Sequence, residues 1–235
     1  MPESDRQFLF GVVGATSTLF QDAAGTTAVS AVGQPVGRVV DLSGRGNNAT
    51  QSTSTARPTL VDASGLALNL DGLDDSLATN FAAGTFGSAM DAWVVCSLAE
   101  GETTAVLVDD PTSAGVRYFA TLDAGVSGST QRQDGAATAN ASFSVNGQLA
   151  GNVANPSRGA LYSAVAGAGI SIVQATNLNL SAWQGVKIGT YASSGSDYGF
   201  RGRHFALLIC PAQPDAIRTK IRKALAKQFG IQGVV

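Results

Sequence analysis

Apolar residues recur at every second position in several short runs, each bounded by Gly, Asp or Ser. "LALNL" sets Leu66, Leu68 and Leu70 on one face, "VKIGTY" pairs Val186 with Ile188, and "HFALLIC" places Phe205, Leu207 and Ile209 at the same period. Period two is the signature of a half-buried strand. "AWVVCSL" (92–98) is apolar almost throughout, as a strand covered on both faces would be. In "FSVNGQL" (143–149), Asn146 and Gly147 both tolerate positive φ, which predicts a two-residue hairpin turn.

One segment, "PDAIRTKIRKALAKQFG" (214–230), has helical spacing instead. Pro214 suits a first turn, Asp215 complements the helix dipole, and Gly230 suits a left-handed cap after Phe229. Ile217, Ile221, Ala224, Leu225 and Phe229 are expected to form its apolar stripe, with Arg218, Lys220, Arg222, Lys223 and Lys227 mostly outside it. Between Gly125 and Gly159 large apolar residues are sparse, which predicts long loops or a short edge hairpin. Many short strands followed by one helix predict an all-β protein, an antiparallel β-sandwich of jelly-roll type with one C-terminal α-helix over about 214–229.

Composition narrows the function classes. At 235 residues, 44% hydrophobic and only 14% charged, the chain is globular, of one or at most two domains, with a surface rich in uncharged polar side chains. No apolar run approaches the roughly 18 residues of a membrane span, and "MPESDRQFLFGVVGA" lacks the pattern of a signal peptide, so a soluble protein made in a cytoplasm is expected. The net charge of −2 is unevenly spread. Seven basic residues and one acidic between Arg201 and Lys227 give that stretch +6 and leave −8 on the remainder. The acidic balance argues against a dedicated nucleic-acid binder, and the basic stretch reads as a solvated face. Cys96 and Cys210 sit in apolar runs, where buried free thiols are expected rather than a disulfide or a zinc site.

The stretch "DLSGRGNNAT" (41–50) contains G-x-G-x-x-A at Gly44, Gly46 and Ala49. A dinucleotide site needs such glycines to open a helix, but the continuation "TQSTSTARPTL" is polar, β-branched and interrupted by Pro58. The acceptor triplets at Asn48 and Asn140 matter only in a secretory pathway. The stretch therefore reads as a structural turn in which Asp41 and Ser43 bond their own backbone, Gly44 and Gly46 supply positive φ, and Asn47 caps neighbouring groups.

With Gly25, Thr26 and Thr27 before it, Arg57 and Pro58 after it, and the "DGLDD" element Asp71, Gly72, Asp74 and Asp75 beyond, this turn resembles the "DxSGxGN … DGxDD" pattern of concanavalin A-like (laminin-G-like) jelly-roll domains common in bacteriophage virion proteins. "VKIGTY", Phe200, Gly202, "HFALLIC" and the closing "LAKQFGI" are similar to the last strands and final helix of such modules. The resemblance implies an N-terminal attachment segment at 1–17 and a jelly-roll domain at 18–235. It further implies a virion protein assembled in the bacterial host cytoplasm and exposed on head or tail as a decoration, fibre or receptor-contact module. Its partners would be other capsid or tail proteins, further copies of itself as a homo-oligomer, and host surface polysaccharide, without nucleic acid or membrane insertion.

Candidate chemistry is thin. Relatives of this jelly roll that cleave glucans need paired carboxylates about 5 Å apart on one strand. The chain has only Glu3, Glu100 and Glu102, and "EGETT" reads as a turn. The single histidine, His204, lies in a strand with no partner assigned by sequence, so no enzymatic activity is expected. Asp71, Asp74 and Asp75 have two readings: caps of a turn between strands, or the rim calcium site that the resemblance implies. Trp183, Tyr191 and Tyr198 lie in a polar segment and are candidate glycan-stacking residues, Trp183 being equally a core candidate, whereas Trp93 reads as core.

Overall fold

The computed structural model describes residues 8–11, 16–62, 65–82, 84–112, 118–124, 140–152, 156–189 and 199–235. Within them the strands are β1 (Phe8–Gly11), β2 (Leu19–Phe20), β3 (Arg38–Val39), β4 (Ala49–Thr50), β5 (Thr59–Asp62), β6 (Leu66–Asp71), β7 (Ser76–Asn80) and β8 (Met90–Leu98). They continue with β9 (Thr104–Asp109), β10 (Tyr118–Asp123), β11 (Ser142–Val145), β12 (Gln148–Leu149), β13 (Ser171–Leu178), β14 (Gly185–Gly189) and β15 (Arg201–Pro211). Two α-helices, α1 (Arg158–Ala166) and α2 (Asp215–Phe229), complete the set.

The protein is an all-β antiparallel sandwich. One sheet runs β12-β11-β13-β8-β15-β6-β5, with β1 paired to β15 as its eighth strand; the other runs β10-β9-β14-β7-β4-β3-β2. The alternation in the sequence sets the layers. Leu68, Leu70, Val173, Ala175, Val186 and Ile188 join Met90, Ala92, Val94 and Cys96 in the core between the sheets. Trp93, Val95, Ile172, Leu208 and Cys210 lie on the opposite face of the large sheet, where Ala226 and Phe229 of α2 cover them. The central strand β8 is thus sandwiched on both sides, which is why its sequence shows no polar face. Cys96 and Cys210 are buried thiols in different layers.

Three elements depart from the sequence-based expectations. The pairing of β15 with β8 shifts register between His204 and Ala206. A bulge there turns Phe205 towards α2, while Leu207 and Ile209 keep to the inner core, so the three do not share a face. In α2 the covered residues are Ala226 and Phe229 with Ile221 and Leu225 beside them, and Ala224 is exposed. Finally, Phe8–Gly11 is not outside the sandwich: its backbone pairs with Ile209 to Ala206, so the sheet reaches back past the expected boundary at residue 18.

Helix α1 was not anticipated. Its nine residues begin after Ser157, whose Oγ accepts the Ala160 N–H (3.1 Å), and Leu161 and Val165 enter the inter-sheet core one turn apart. The expected edge hairpin is present, with Asn146 (φ 53°) and Gly147 (φ 92°) joining β11 to β12. Among the described residues no helix is long and apolar enough to cross a membrane.

Candidate functional site

The Asp41 turn closes on itself. Both carboxylate oxygens of Asp41 accept bonds, Oδ1 from the Ser43 N–H (2.9 Å) and Oδ2 from the Ser43 hydroxyl (2.7 Å) and the Asn47 N–H (3.1 Å), while the Asp41 N–H donates to Asn48 Oδ1 (2.9 Å). Gly44 (φ 81°) and Gly46 (φ 76°) supply the left-handed positions. These side chains are spent on shaping the connection between β3 and β4.

The "DGLDD" element links β6 of one sheet to β7 of the other. Asp71 Oδ1 accepts the Leu73 N–H (2.8 Å) and Asp75 Oδ2 accepts the Asp71 N–H (3.1 Å), so two of the three carboxylates cap the turn. The three aspartates each offer an oxygen within 4.8 Å of the others. That donor set fits one side of a calcium site, though the ion takes six to eight oxygens and two of those here already hold backbone N–H groups. Burial first, then the neighbouring Asp71 carboxylate, pushes Asp75 up to about 6.

This shift has a definite sign. The folded state keeps the Asp75 proton after the unfolded chain, with its ordinary value of 3.8, has lost it, so the contribution to stability is full below about pH 4 and is lost as pH rises through about 6. Asp75→Asn keeps an acceptor for the Asp71 N–H and removes the buried charge. It is expected to raise the melting temperature near neutral pH by a few degrees and to change it little near pH 4. Calcium added near neutral pH should raise the wild-type melt above that in chelator, and not the variant's, if the aspartates bind the ion. An equal melt in both would assign the cluster to the turn alone.

The remaining candidates are scattered. Trp183 is 1% exposed, ending the Leu180–Trp183 turn with its ring in the inter-sheet core, and this removes it as a stacking platform. The turn tucks the ring inward although its neighbours in sequence are polar. Tyr191 and Tyr198 lie outside the described residues. Glu102 accepts the Thr103 and Thr104 N–H groups at the turn before β9, and Glu100 is exposed in that turn. His204 is buried against the edge of Phe200, and burial pushes it down to about 3, so the ring is neutral at ordinary pH.

The most developed polar constellation was not visible in the sequence. Asp91 of β8, fully buried, receives the Asn177 N–H (3.1 Å), the Gln213 N–H (2.9 Å), and Nε (2.7 Å) and Nη2 (3.0 Å) of Arg218. This charged clasp holds the first turns of α2 over β13. Beside it lies a groove of about 300 Å³, floored by the outward residues of β11 and β13 and walled by Asp215, Arg218, Thr219 and Arg222.

Comparison of the chain with protein-family models, curated proteins and solved structures finds no match in any of the three.

Proposed function

We propose that the chain is a non-enzymatic bacteriophage virion protein whose concanavalin A-like sandwich is displayed on head or tail and contacts the host surface glycan. The observation that carries this reading is the pairing of the "DxSGxGN" and "DGxDD" elements with two self-capped turns of an all-β sandwich closed by a helix. Those are the elements on which the likeness to phage modules rests. Glu102, which with Glu100 forms the closest pair of glutamates in the chain, accepts the Thr103 and Thr104 N–H groups, in keeping with its reading as a turn residue. A second reading, a purely structural adaptor that binds no sugar, is favoured by the burial of Trp183.

Particles of the phage that encodes the chain should carry it through gradient purification, detectable by mass spectrometry and by antibody labelling. Its presence only among soluble lysate proteins would overturn the virion assignment. Competition of excess free protein with particle adsorption is expected for the glycan-contact reading. A particle-borne protein that does not compete would be the adaptor.

A further inference from the structure

The outer face of the seven-stranded sheet carries a hollow whose polar groups are still open. Leu19, Val39, Ala49 and Leu77 of β2, β3, β4 and β7 join the inter-sheet core. Their strand neighbours Phe20, Arg38, Thr50 and Ala78 therefore stand outside, in one cross-strand row fixed by register. The small side chain of Ala78 leaves a hollow of about 380 Å³ in that row, bordered by Arg38, Thr50, Thr79 and Asn80 and by Asn47 and Asn48 from the turn that leads into β4. Among the described residues no acidic and no aromatic side chain lines it.

Arg38 is held in place without being neutralised. Its Nη1 donates to the Ala24 carbonyl (2.9 Å), and the guanidinium lies so close to Gly25 that a Cβ there would stand 2.9 Å from Nη1 and 3.3 Å from Cζ. Among the described residues no carboxylate forms an ion pair with Arg38, and its Nε is buried without a hydrogen-bond partner. Asp22, in the turn that carries Ala24 and Gly25, is committed to that turn: its carboxylate accepts the Thr26 (3.1 Å) and Thr27 (2.7 Å) N–H groups. Lys187, the next residue of the row after Ala78, has the buried Asp109 as its own cross-strand neighbour. Around Arg38 the neutral donors are unspent. Thr50 Oγ1 and the Asn80 amide make no hydrogen bond among the described residues, and Asn48 uses only Oδ1, on the Asp41 N–H (2.9 Å).

Donors from three strands thus border one hollow: a guanidinium from β3, a hydroxyl and an amide from β4 and the turn before it, and a second amide from β7. A neutral pyranose draws much of its affinity from an aromatic face, and none is present here. A planar carboxylate is best gripped by two parallel N–H groups of one guanidinium, but Arg38 has Nη1 turned to Ala24 and Nε buried. A tetrahedral oxyanion, with oxygens pointing several ways, suits separate donors on neighbouring strands, and one unpaired cation matches one negative charge. We infer that this hollow binds a phosphodiester of a phosphate-linked glycan, Arg38 meeting the anionic oxygens and Asn48, Thr50 and Asn80 the remaining acceptors. Nucleic acid carries the same group, but its binding needs a basic track and stacking faces, which the hollow lacks. The inference takes the source of the ligand from the glycan-contact reading, and the binding itself is measured on the isolated chain.

The experiment is calorimetric titration at low salt with a mannose trimer joined by phosphodiesters, beside mannotriose, trigalacturonate and a short oligothymidylate. Saturable binding of the phosphodiester trimer is expected, roughly 10- to 100-fold weaker for mannotriose and for Arg38→Gln, as befits loss of a charged hydrogen bond. Because Arg38 also braces the Ala24 turn, Thr50→Val provides a second variant that keeps the shape of the strand and the guanidinium and removes only the hydroxyl. It should weaken binding several-fold with the melting temperature kept. Arg203→Gln, an exposed arginine of β15 in the other sheet, should bind as the wild type does. No binding at all, equal affinity for mannotriose, preference for trigalacturonate or oligothymidylate, or a loss matched by Arg203→Gln would each overturn the assignment. Particle association and adsorption competition are measured separately, so a chain that competes but fails this titration sinks the hollow and not the glycan-contact reading.

Discussion

Asp91→Ala is expected to destabilise the protein by about 3–5 kcal/mol, the usual cost of breaking a buried ion pair by removing one partner. The carboxylate is fully buried and serves four donors at once: two guanidinium nitrogens of Arg218 and the backbone N–H groups of Asn177 and Gln213. Alanine leaves all four without that acceptor, and water reaches the site poorly. The loss is read from the urea midpoint, with helical circular dichroism following α2. Asp91→Asn retains an acceptor without the charge and should fall between the two. Asp91→Ala combined with Arg218→Met should cost less than the two single changes added together, by about 0.5–3 kcal/mol, since neither charge is then stranded. A single-variant loss below about 1 kcal/mol would mean that α2 is held by its apolar contacts alone.

Those apolar contacts were legible in the sequence, and the clasp was not. The 3.6-residue spacing of Ile221, Leu225 and Phe229 marks a helix with one buried stripe, and the period-two runs at Leu66–Leu70 and Val186–Ile188 mark strands whose large apolar side chains share the inter-sheet face. Such patterns are local, and burial against a single layer preserves them. The Asp91–Arg218 pair joins residues 127 positions apart, and nothing in either neighbourhood announces it. Phe205 broke the expected alternation because a bulge adds a residue to β15 without changing its composition. Helix α1 was hidden by brevity, its large, fully buried side chains being only Leu161 and Val165.

The candidate site was less legible than the fold for the same physical reason. The groove is assembled from β11, β13 and α2, whose polar residues look individually like ordinary exposed positions. Ser142, Ser144 and Thr176 acquire a shared direction only through strand register, and Arg222 meets Gln174 and Val235 only because the fold brings β13 and the last residue against α2. Turn residues were the opposite case. Asp41, Ser43, Asn47 and Asn48 bond within seven positions of one another, with Gly44 and Gly46 supplying the positive φ between them, so their role is written in their spacing.

Trp183→Ala separates a core role from a binding role. The indole is 1% exposed and packs with the inter-sheet core, to which Leu180 and Val186 on either side in sequence also belong. Truncation is expected to cost about 3–5 kcal/mol, from lost transfer free energy and the cavity left behind. For a domain of this size each kcal/mol moves the melting temperature by roughly 2–4 °C, so a fall on the order of 10 °C is expected. Trp183→Phe, which retains most of the apolar volume, should lose less than half of that. The discriminating readout is affinity per folded molecule, measured well below the lowered melt. A core tryptophan leaves oligosaccharide affinity within about twofold of wild type, whereas a stacking tryptophan would lose affinity at nearly unchanged stability. The second outcome would mean that the Leu180–Trp183 turn opens in solution and presents the ring to ligand.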